Sequence, residues 1–487
     1  MKKTLFFTAT VLLAICALLL SACSPSTDGN TPGTTNQPTR PTRPDEEETF
    51  FSDRASVSDD LPDNNFDGRE FRVLARDEER FKEEIGVVLE QNEEVLSKAI
   101  FTRNKEIEDR FGINFVATHV AEPYNDIKKT VKAGLDAYDL VVDHARYLAT
   151  TAPDGIFIPV DELEYVNTDK PWYMKNATDN ISVKGVSYFL AGDYCLSLYQ
   201  MTYCMYFNKD MLAKHPEVED LYTVVQEGRW TLDYLNNLVK NFWRDLNGNG
   251  EPDDKDEYGF TSDWHSGAVT YLYAFDNPIM TMDAEGIPQL SFNTPKMNNI
   301  VEKVKELFRD NPGAYTGTWN VPAPMFSDGR VLLMNGRFNS TDGLRDADFE
   351  FGIIPYPKYD SDQKEYYTMV DGAHSIMAVP LTADTEFTSI IIEALNAESY
   401  KNVIPAYYET DLKIKGARGD EQAAEVLDMI SKGVKFDFGY IYGPYWNLIS
   451  TVISSDGKNF ASEYDKQEGS ALKTYDSIIE KYLDIAL

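Results

Sequence analysis

The chain has 487 residues, of which 80 are Asp or Glu and 46 are Lys or Arg, so its formal net charge is −34. This charge excludes the basic surface on which nucleic-acid binding depends, and it is repelled by anionic lipid headgroups. The apolar fraction of 43% exceeds that of disordered acidic proteins and predicts a large core, divided between at least two lobes because single cores stop growing near ~250–300 residues.

The amino terminus has the pattern of an export signal. Two lysines precede an uncharged stretch over residues 4–20, which is shorter than the ~20 residues that a membrane-spanning helix needs. The motif that follows, Leu20-Ser21-Ala22-Cys23, resembles the lipobox of bacterial lipoproteins. That resemblance implies a signal peptide over residues 1–22 and a Cys23 that is acylated on sulfur and anchors the chain in the membrane. The alternative is an ordinary signal peptide that is cut near Ala22.

Residues 23–65 are rich in Ser, Thr, Pro and Asn and contain few apolar side chains. Such a segment cannot bury enough apolar surface to fold, so we predict a flexible tether. The tether is expected to hold a folded domain, which begins near Phe66, away from the membrane on its extracellular face.

From Phe66 onward, apolar residues recur at alternating strand and helix spacings. Residues 70–75, 113–116 and 138–143 are predicted strands, separated by predicted helices over 82–110 and 127–135. Gly112 is expected to cap the first helix, and the continuous apolar run before Asp143 is typical of a parallel strand buried on both faces. The later predicted strands are 352–355 and 375–380, and the later predicted helices are 230–242, 296–308, 388–397, 420–430 and 472–483. This alternation predicts an α/β fold, most simply with two lobes.

The sequence contains none of the common catalytic motifs that we sought. It has no GxSxG elbow, no HExxH, no phosphate-binding GxxxxGK[ST] loop and no GxGxxG after a strand. No zinc-ligand spacing occurs among the five histidines, which are His119, His144, His215, His265 and His374. These observations favour a binding protein over an enzyme.

A twelve-residue stretch over residues 245–256 fits a calcium-binding loop. The predicted side-chain ligands are Asp245, Asn247, Asn249, Asp253 and Asp256. Glu251 would contribute its carbonyl oxygen, and Gly250 stands where such loops turn sharply. We predict a structural Ca²⁺ here, because nothing around the loop resembles a catalytic site. The alternative is an acidic turn rich in Asn and Gly.

Several aromatic residues are candidates for either the core or a ligand site. Trp230 begins a predicted helix and Trp243 is predicted to lie inside an amphipathic helix, so we expect both in the core. The aromatic residues in loop-like surroundings are candidates for ligand binding, and they are Trp264, Trp319, Tyr445 and Trp446.

Taken together, several segments resemble the family 1 extracellular solute-binding proteins, which are lipoproteins, most often from Gram-positive bacteria, that deliver sugars to ABC importers. Their order along the chain matches the order in that family. The segments are Ala137-Tyr138-Asp139-Leu140-Val141, Tyr206-Phe207-Asn208-Lys209-Asp210, Arg229-Trp230-Thr231-Leu232-Asp233, the calcium-like loop with Tyr258-Gly259-Phe260, residues 326–334 and Gly352-Ile353-Ile354-Pro355-Tyr356-Pro357.

The resemblance implies a periplasmic-binding-protein-like fold of the class II type, with two α/β lobes, a multi-strand hinge and a ligand cleft between them. The first lobe would comprise residues 66–195 and 356–400, and the second would comprise residues 205–353 and 401–487. Cys195 and Cys204 fall near the first crossing, and the sequence leaves open whether they form a disulfide or remain two buried thiols.

Mapping the family onto this chain also implies a set of ligand-binding residues. The candidates are Asp143, His144, Arg146, Trp264, Trp319, Arg337, Phe338, Asp371, His374, Tyr445 and Trp446. Asp143 and His144 are favoured independently, because ligands of open α/β sheets bind beyond the carboxyl ends of strands. For Asp143 the alternatives are a solvated loop acid or a cap.

The implied function is capture of a carbohydrate, in particular an oligosaccharide. A monomer would deliver it to the permease of an ABC transporter. Two other functions fit the same sequence. One is a surface-anchored carbohydrate-active enzyme, and the other is a surface adhesin or sensor that binds sugar without a transporter. Peptides also remain candidates for the ligand.

Overall fold

The computed structural model describes residues 54–87, 94–344, 347–413 and 421–485. The predicted signal peptide, Cys23 and most of the predicted tether lie outside the described residues. The strands are β1 (Arg69–Arg76), β2 (Ile113–Val120), β3 (Leu140–His144), β4 (Tyr203–Asn208), β5 (Tyr258–Asp263), β6 (Met280–Met282), β7 (Pro288–Leu290), β8 (Ala314–Gly317), β9 (Val331–Arg337), β10 (Phe351–Ile354), β11 (Thr368–Met369), β12 (Ser375–Ala378) and β13 (Val434–Lys435).

Helices connect and cover these strands. They are α1 (Glu79–Ile85), α2 (Val95–Phe111), α3 (Pro123–Lys132), α4 (Ala145–Ala149), α5 (Lys175–Asn180), α6 (Ser197–Gln200), α7 (Lys209–Leu212), α8 (Leu221–Gln226), α9 (Leu232–Val239), α10 (Ser266–Ala274), α11 (Pro295–Lys305), α12 (Pro322–Ser327), α13 (Thr385–Glu398), α14 (Ile404–Tyr407), α15 (Glu421–Lys432), α16 (Phe438–Tyr442), α17 (Leu448–Ile453) and α18 (Phe460–Ile485). None of the helices in the described part of the chain combines the length and the apolar composition that crossing a membrane requires.

Four strands form the first large sheet, in the order β12-β3-β1-β2. β1 pairs in parallel with both β2 and β3, whereas β12 runs antiparallel to β3. Four of the five residues of β3 are fully buried, as its continuous apolar run predicted. The predictions of these four strands are confirmed.

The helix predicted over residues 82–110 forms as two helices, because α1 ends at Ile85 and α2 begins at Val95. Gly112 ends α2 in the left-handed conformation with φ of +60°, as predicted, and its N–H donates to the carbonyl of Glu108. A Cβ on this residue would lie 2.4 Å from the side-chain oxygen of Asn65, so both the backbone angle and the space favour glycine.

Five strands form the second large sheet, in the order β10-β4-β9-β5-β8. β5 runs parallel to β8 and β9, and β4 runs antiparallel to β9 and β10. Of these strands, the sequence predicted only β10. All four strands of the first sheet fall within the predicted first lobe, and β5, β8 and β9 fall within the predicted second lobe. The exact boundaries of both lobes stay a prediction.

The structure tests the core predictions for Trp230 and Trp243 and shows the state of Cys195 and Cys204. Trp230 is fully buried and its indole N–H donates to the carbonyl of Pro355 at 2.9 Å, which confirms the core prediction. The prediction for Trp243 was wrong, because α9 ends at Val239 and the Trp243 side chain is 37% exposed. Cys195 and Cys204 are both buried and free, so the disulfide alternative was wrong.

Candidate functional site

A cavity lies between segments of the two large sheets. Its free volume is about 410 Å³, part of which opens to solvent. The lining residues are His144, Arg146, His265, Ser266, Val269, Met369, Asp371, Gly372, Ala373, Tyr440 and Trp446. The lining thus combines aromatic rings with groups that donate and accept hydrogen bonds, and it is the candidate ligand site.

The ends of two buried strands deliver part of this lining. β3 ends at His144 and leads directly into α4, which carries Arg146. β5 ends at Asp263, whose carboxylate accepts hydrogen bonds at 2.8 Å from the backbone N–H groups of His265 and Ser266. These bonds fix the turn into α10. The strand-end rule that favoured His144 therefore applies to the second sheet as well.

Asp371 contributes the carboxylate of the lining. It accepts hydrogen bonds from Tyr203 Oη at 2.7 Å, from Arg337 Nη1 at 3.0 Å and from the backbone N–H of Ala373 at 3.0 Å. Burial raises the pKa of Asp371, but the charge of Arg337 and these hydrogen bonds more than offset it, so the pKa lies below its usual value. Asp371 is therefore ionised and acts as an acceptor.

Aromatic rings surround the guanidinium of Arg146. Its Cζ lies 4.0 Å from the ring centroid of Trp446 and 5.6 Å from that of Tyr440. Trp446 also meets His265 edge to face, with ring centroids 4.9 Å apart. The hydroxyl of Tyr440 accepts a hydrogen bond from the N–H of Gly372 at 3.0 Å, which holds that ring beside the cavity.

His144 presents a neutral ring to the cavity at physiological pH. Burial and the nearby charge of Arg76 lower its pKa to about 3. Its ring stacks on Tyr147 with centroids 4.0 Å apart, and its Nδ1 is buried without a hydrogen-bond partner.

Four of the residues predicted for ligand binding line the cavity, and they are His144, Arg146, Asp371 and Trp446. Arg337 adjoins it through its ion pair with Asp371. The structure does not bring the other six predicted residues into the lining.

Each of these six residues has other surroundings. Phe338, Tyr445 and His374 are buried in the interior. Asp143 is also buried, and its carboxylate accepts from the backbone N–H groups of Tyr124 and His144 at 2.9 and 2.7 Å, which is the capping role that a loop acid can play. Trp264 packs beside Phe308 with centroids 6.3 Å apart, and Trp319 is 84% exposed outside the cavity.

Sequence reasoning missed seven residues of the lining, which are His265, Ser266, Val269, Met369, Gly372, Ala373 and Tyr440. His265 and Ser266 could have been predicted as ligand-site residues, because they follow the carboxyl end of β5. They were missed because β5 was not predicted as a strand. Tyr440 lies in α16, and no local pattern distinguishes it from a core aromatic.

The predicted calcium loop brings several of its oxygen-bearing side chains together. Both carboxylate oxygens of Asp245 accept backbone N–H groups, from Gly248 at 2.6 Å and from Gly250 at 2.9 Å. One carboxylate oxygen of Asp253 lies within 2.9 Å of the side-chain amides of Asn247 and Asn249. These hydrogen bonds join the side chains of Asn247 and Asn249 to Asp253 and hold the backbone turn at Gly250.

Asp256, the last predicted ligand of the loop, is hydrogen-bonded to nearby residues of the same chain. Asp256 is fully buried, and its carboxylate accepts from the indole N–H of Trp243 at 3.2 Å and from the N–H of Leu246 at 3.1 Å. Across the described ranges of the chain, no group of three or more His, Cys, Asp or Glu side chains has the arrangement of a metal centre. The other oxygen atoms of this loop belong to the side-chain amides of Asn247 and Asn249 and to backbone carbonyls.

Comparison with solved structures shows the fold. A cyclo/maltodextrin-binding protein complexed with maltotetraose aligns with a TM-score of 0.54 and 14% identity, over 86% of this chain and 96% of that one. The GacH receptor of Streptomyces glaucescens aligns with a TM-score of 0.52 and 12% identity, over 86% and 97% of the two chains. UgpB from Mycobacterium tuberculosis, in complex with glycerophosphocholine, aligns with a TM-score of 0.51 and 16% identity, over 80% and 96%. These likenesses confirm the predicted two-domain, periplasmic-binding-protein-like fold.

Comparison of the sequence with family profiles is also informative. No curated protein matches the chain. The profile of the family described as "Bacterial extracellular solute-binding protein" matches residues 104–400, which is more than half of the chain. This chain therefore belongs to the bacterial extracellular solute-binding proteins.

Proposed function

We propose that this protein captures a carbohydrate outside the cell and delivers it to the permease of an ABC importer. Membership of the solute-binding family supports capture and delivery. The structural neighbours support a sugar as the solute, because one was solved with maltotetraose and another with acarbose. The protein acts as a monomer in this proposal.

The cavity is the observation that carries the carbohydrate assignment. A pyranose has apolar C–H faces and a rim of hydroxyls, so it is recognised by aromatic rings together with charged and polar side chains. Trp446 and Tyr440 supply rings, and Asp371 supplies an ionised acceptor. His144 and Arg146 add polar side chains to the lining, which suits a ligand rich in hydroxyls.

The state of Asp371 favours capture over hydrolysis. A glycosidase needs a carboxylic acid whose pKa is raised, so that it can protonate the leaving group. The pKa of Asp371 is instead lowered, and its carboxylate is already held by Arg337 and Tyr203. This carboxylate can orient a sugar hydroxyl but is a poor proton donor.

A thermal-shift screen of residues 54–487 against mono- and oligosaccharides tests the proposal. A ligand that binds only the folded state raises the melting temperature, by an amount that grows with its concentration over Kd. We expect at least one oligosaccharide to raise it and to be recovered intact after incubation. A sugar that is cleaved would indicate the surface enzyme, and a screen in which peptides but no sugars bind would overturn the carbohydrate assignment.

We also propose that the mature protein is a lipoprotein anchored through Cys23 on the outer face of a Gram-positive cell membrane. The lipobox-like motif and the Ser/Thr/Pro-rich segment after it support the anchor. A structural Ca²⁺ in the loop over residues 245–256 is part of the same proposal. It is supported by the contacts of Asp253 with the side chains of Asn247 and Asn249 and by the turn at Gly250 that Asp245 holds.

A further inference from the structure

Arg146 is a charged group of the cavity that forms no direct ion pair within the described chain, although the charge of Asp371 partly compensates it. No ion pair or side-chain hydrogen bond joins its guanidinium to another described residue, and its Nε is buried without an acceptor. Its contacts are instead the faces of Trp446 and Tyr440. Burial lowers the pKa of Arg146 from its ordinary value, which is the direction expected for a cation whose charge is poorly compensated.

The nearby carboxylates are already satisfied by other donors. Asp371 accepts from Arg337, Tyr203 and the N–H of Ala373. Asp263 accepts from the N–H groups at the start of α10 and from the hydroxyl of Ser266 at 2.9 Å. The cavity therefore holds one guanidinium for which the described chain supplies no acceptor.

The position of this guanidinium is set in advance. A Cβ on Gly372 would lie 2.5 Å from Cδ of Arg146, so only glycine lets the aliphatic stem pack so closely there. The guanidinium then rests on Trp446 at 4.0 Å, where cation–π attraction holds it. A side chain that is ordered before binding loses less entropy when a ligand arrives.

We propose that the solute is an acidic sugar, whose anionic group pairs with Arg146 while its hydroxyls meet Asp371 and His144. This inference rests on the proposed carbohydrate-binding function and narrows its substrate class. The planar guanidinium fork matches a carboxylate with two parallel hydrogen bonds, and it can also hold a sulfate. A neutral sugar would exclude water from the guanidinium without supplying a direct ion-pair partner, which is costly.

The overall charge of the chain does not explain this selectivity. At −34, its long-range field opposes acidic ligands, but that field is screened beyond roughly 8 Å at physiological ionic strength. Preference for an acidic sugar must therefore come from a local group, and measurements belong at physiological salt.

The test uses calorimetric titration of the protein with pairs of sugars that differ only in the charged group. One arm contains uronic-acid oligosaccharides and their carboxyl-reduced counterparts, and the other contains sulfated oligosaccharides and their desulfated counterparts. We expect an acidic member of one arm to bind at least tenfold more tightly than its neutral counterpart. The arm in which this occurs identifies the anionic group as a carboxylate or a sulfate.

Variants then connect the preference to the residue. Arg146→Gln should remove the tenfold preference, whereas Arg146→Lys, which keeps the charge without the fork, should retain part of it. Arg80→Gln is the matched control, because Arg80 lies on the surface in an ion pair with Glu78 and should leave the preference unchanged. Melting curves establish that each variant is folded.

The remaining outcomes separate the two proposals. Neutral sugars that bind as tightly as their acidic counterparts, or an unchanged preference in folded Arg146→Gln, would overturn the acidic-sugar inference and leave carbohydrate capture standing. If no sugar of either arm or of the neutral screen binds, both proposals fall.

Discussion

Trp446 contacts two polar members of the cavity lining. Its ring centroid lies 4.0 Å from Cζ of Arg146 and 4.9 Å from the ring centroid of His265. Trp446→Ala removes a ligand-facing ring and the platform beneath Arg146, so we expect affinity for the best sugar to fall about thirtyfold, or ~2 kcal/mol. Calorimetric titration measures the change. Trp319→Ala is the control, because this ring is 84% exposed outside the cavity. Wild-type affinity in Trp446→Ala, or a comparable loss in Trp319→Ala, would contradict the site.

His374 predicts a specific dependence of stability on pH. The ring is buried, its Nδ1 donates to the carbonyl of Asp371 at 2.8 Å, and burial lowers its pKa to about 4. The unfolded chain takes up this proton near pH 6.5, whereas the folded chain takes it up only near pH 4. This residue therefore stabilises the fold fully above pH 6.5, and its contribution is lost as the pH falls from 6.5 toward 4.

Comparison with a variant isolates this effect, because Asp193 and Glu393, whose pKa values burial raises to about 7, act in the opposite direction. We expect His374→Gln to be less stable than wild type at pH 7, and the gap to narrow by about 2 kcal/mol at pH 5. Urea denaturation at the two pH values measures the gap. A gap that stays constant would show that the His374 pKa is close to that of the unfolded chain.

At the scale of elements, the loop over residues 245–256 is predicted to depend on calcium. Its carboxylates repel one another when no cation is bound, so chelation should lower the melting temperature. Asp245→Ala should lower it permanently and remove the sensitivity to chelator. Sugar affinity should change little, because the loop residues do not line the cavity.

Trp243 provides an optical readout of the same loop, since its indole N–H donates to Asp256. We expect Ca²⁺ to change tryptophan fluorescence in wild type and to have no such effect in Trp243→Phe, which keeps the Ca²⁺ ligands. Mg²⁺ at equal concentration is the control for nonspecific charge effects. The absence of any melting or fluorescence response to Ca²⁺ would refute the site.

At the scale of the whole molecule, Cys23 is predicted to decide where the protein resides. Wild type should partition with membranes and incorporate a fatty-acid analogue, because several acyl chains on one residue anchor a domain stably. Cys23→Ala should abolish labelling while the melting temperature of the folded domain is unchanged. Wild type that carries no lipid would show that the signal is an ordinary one.

Strands and helices were predictable wherever the apolar pattern of a segment matched the burial of its residues in the fold. β1, β2 and β3 followed from runs of apolar residues, and the cap at Gly112 followed from the end of the helical spacing. β5 escaped prediction because it contains Thr261 and Ser262, which are polar but fully buried. Their hydroxyl groups bond to Tyr315 O at 2.9 Å and to Asn335 Nδ2 at 2.8 Å, and those partners come from other strands.

The sequence by itself determined the features that depend on composition or on short contiguous motifs. These are the charge that excludes nucleic acid, the ordered family segments, the α/β alternation and four residues of the cavity. Only the tertiary structure decided which distant side chains meet. Arg146 and Trp446 touch because the helix that follows β3 and the segment between α16 and α17 meet at one cavity. Sheet order and strand register set that convergence through contacts between segments far apart in the chain, and no local periodicity records them.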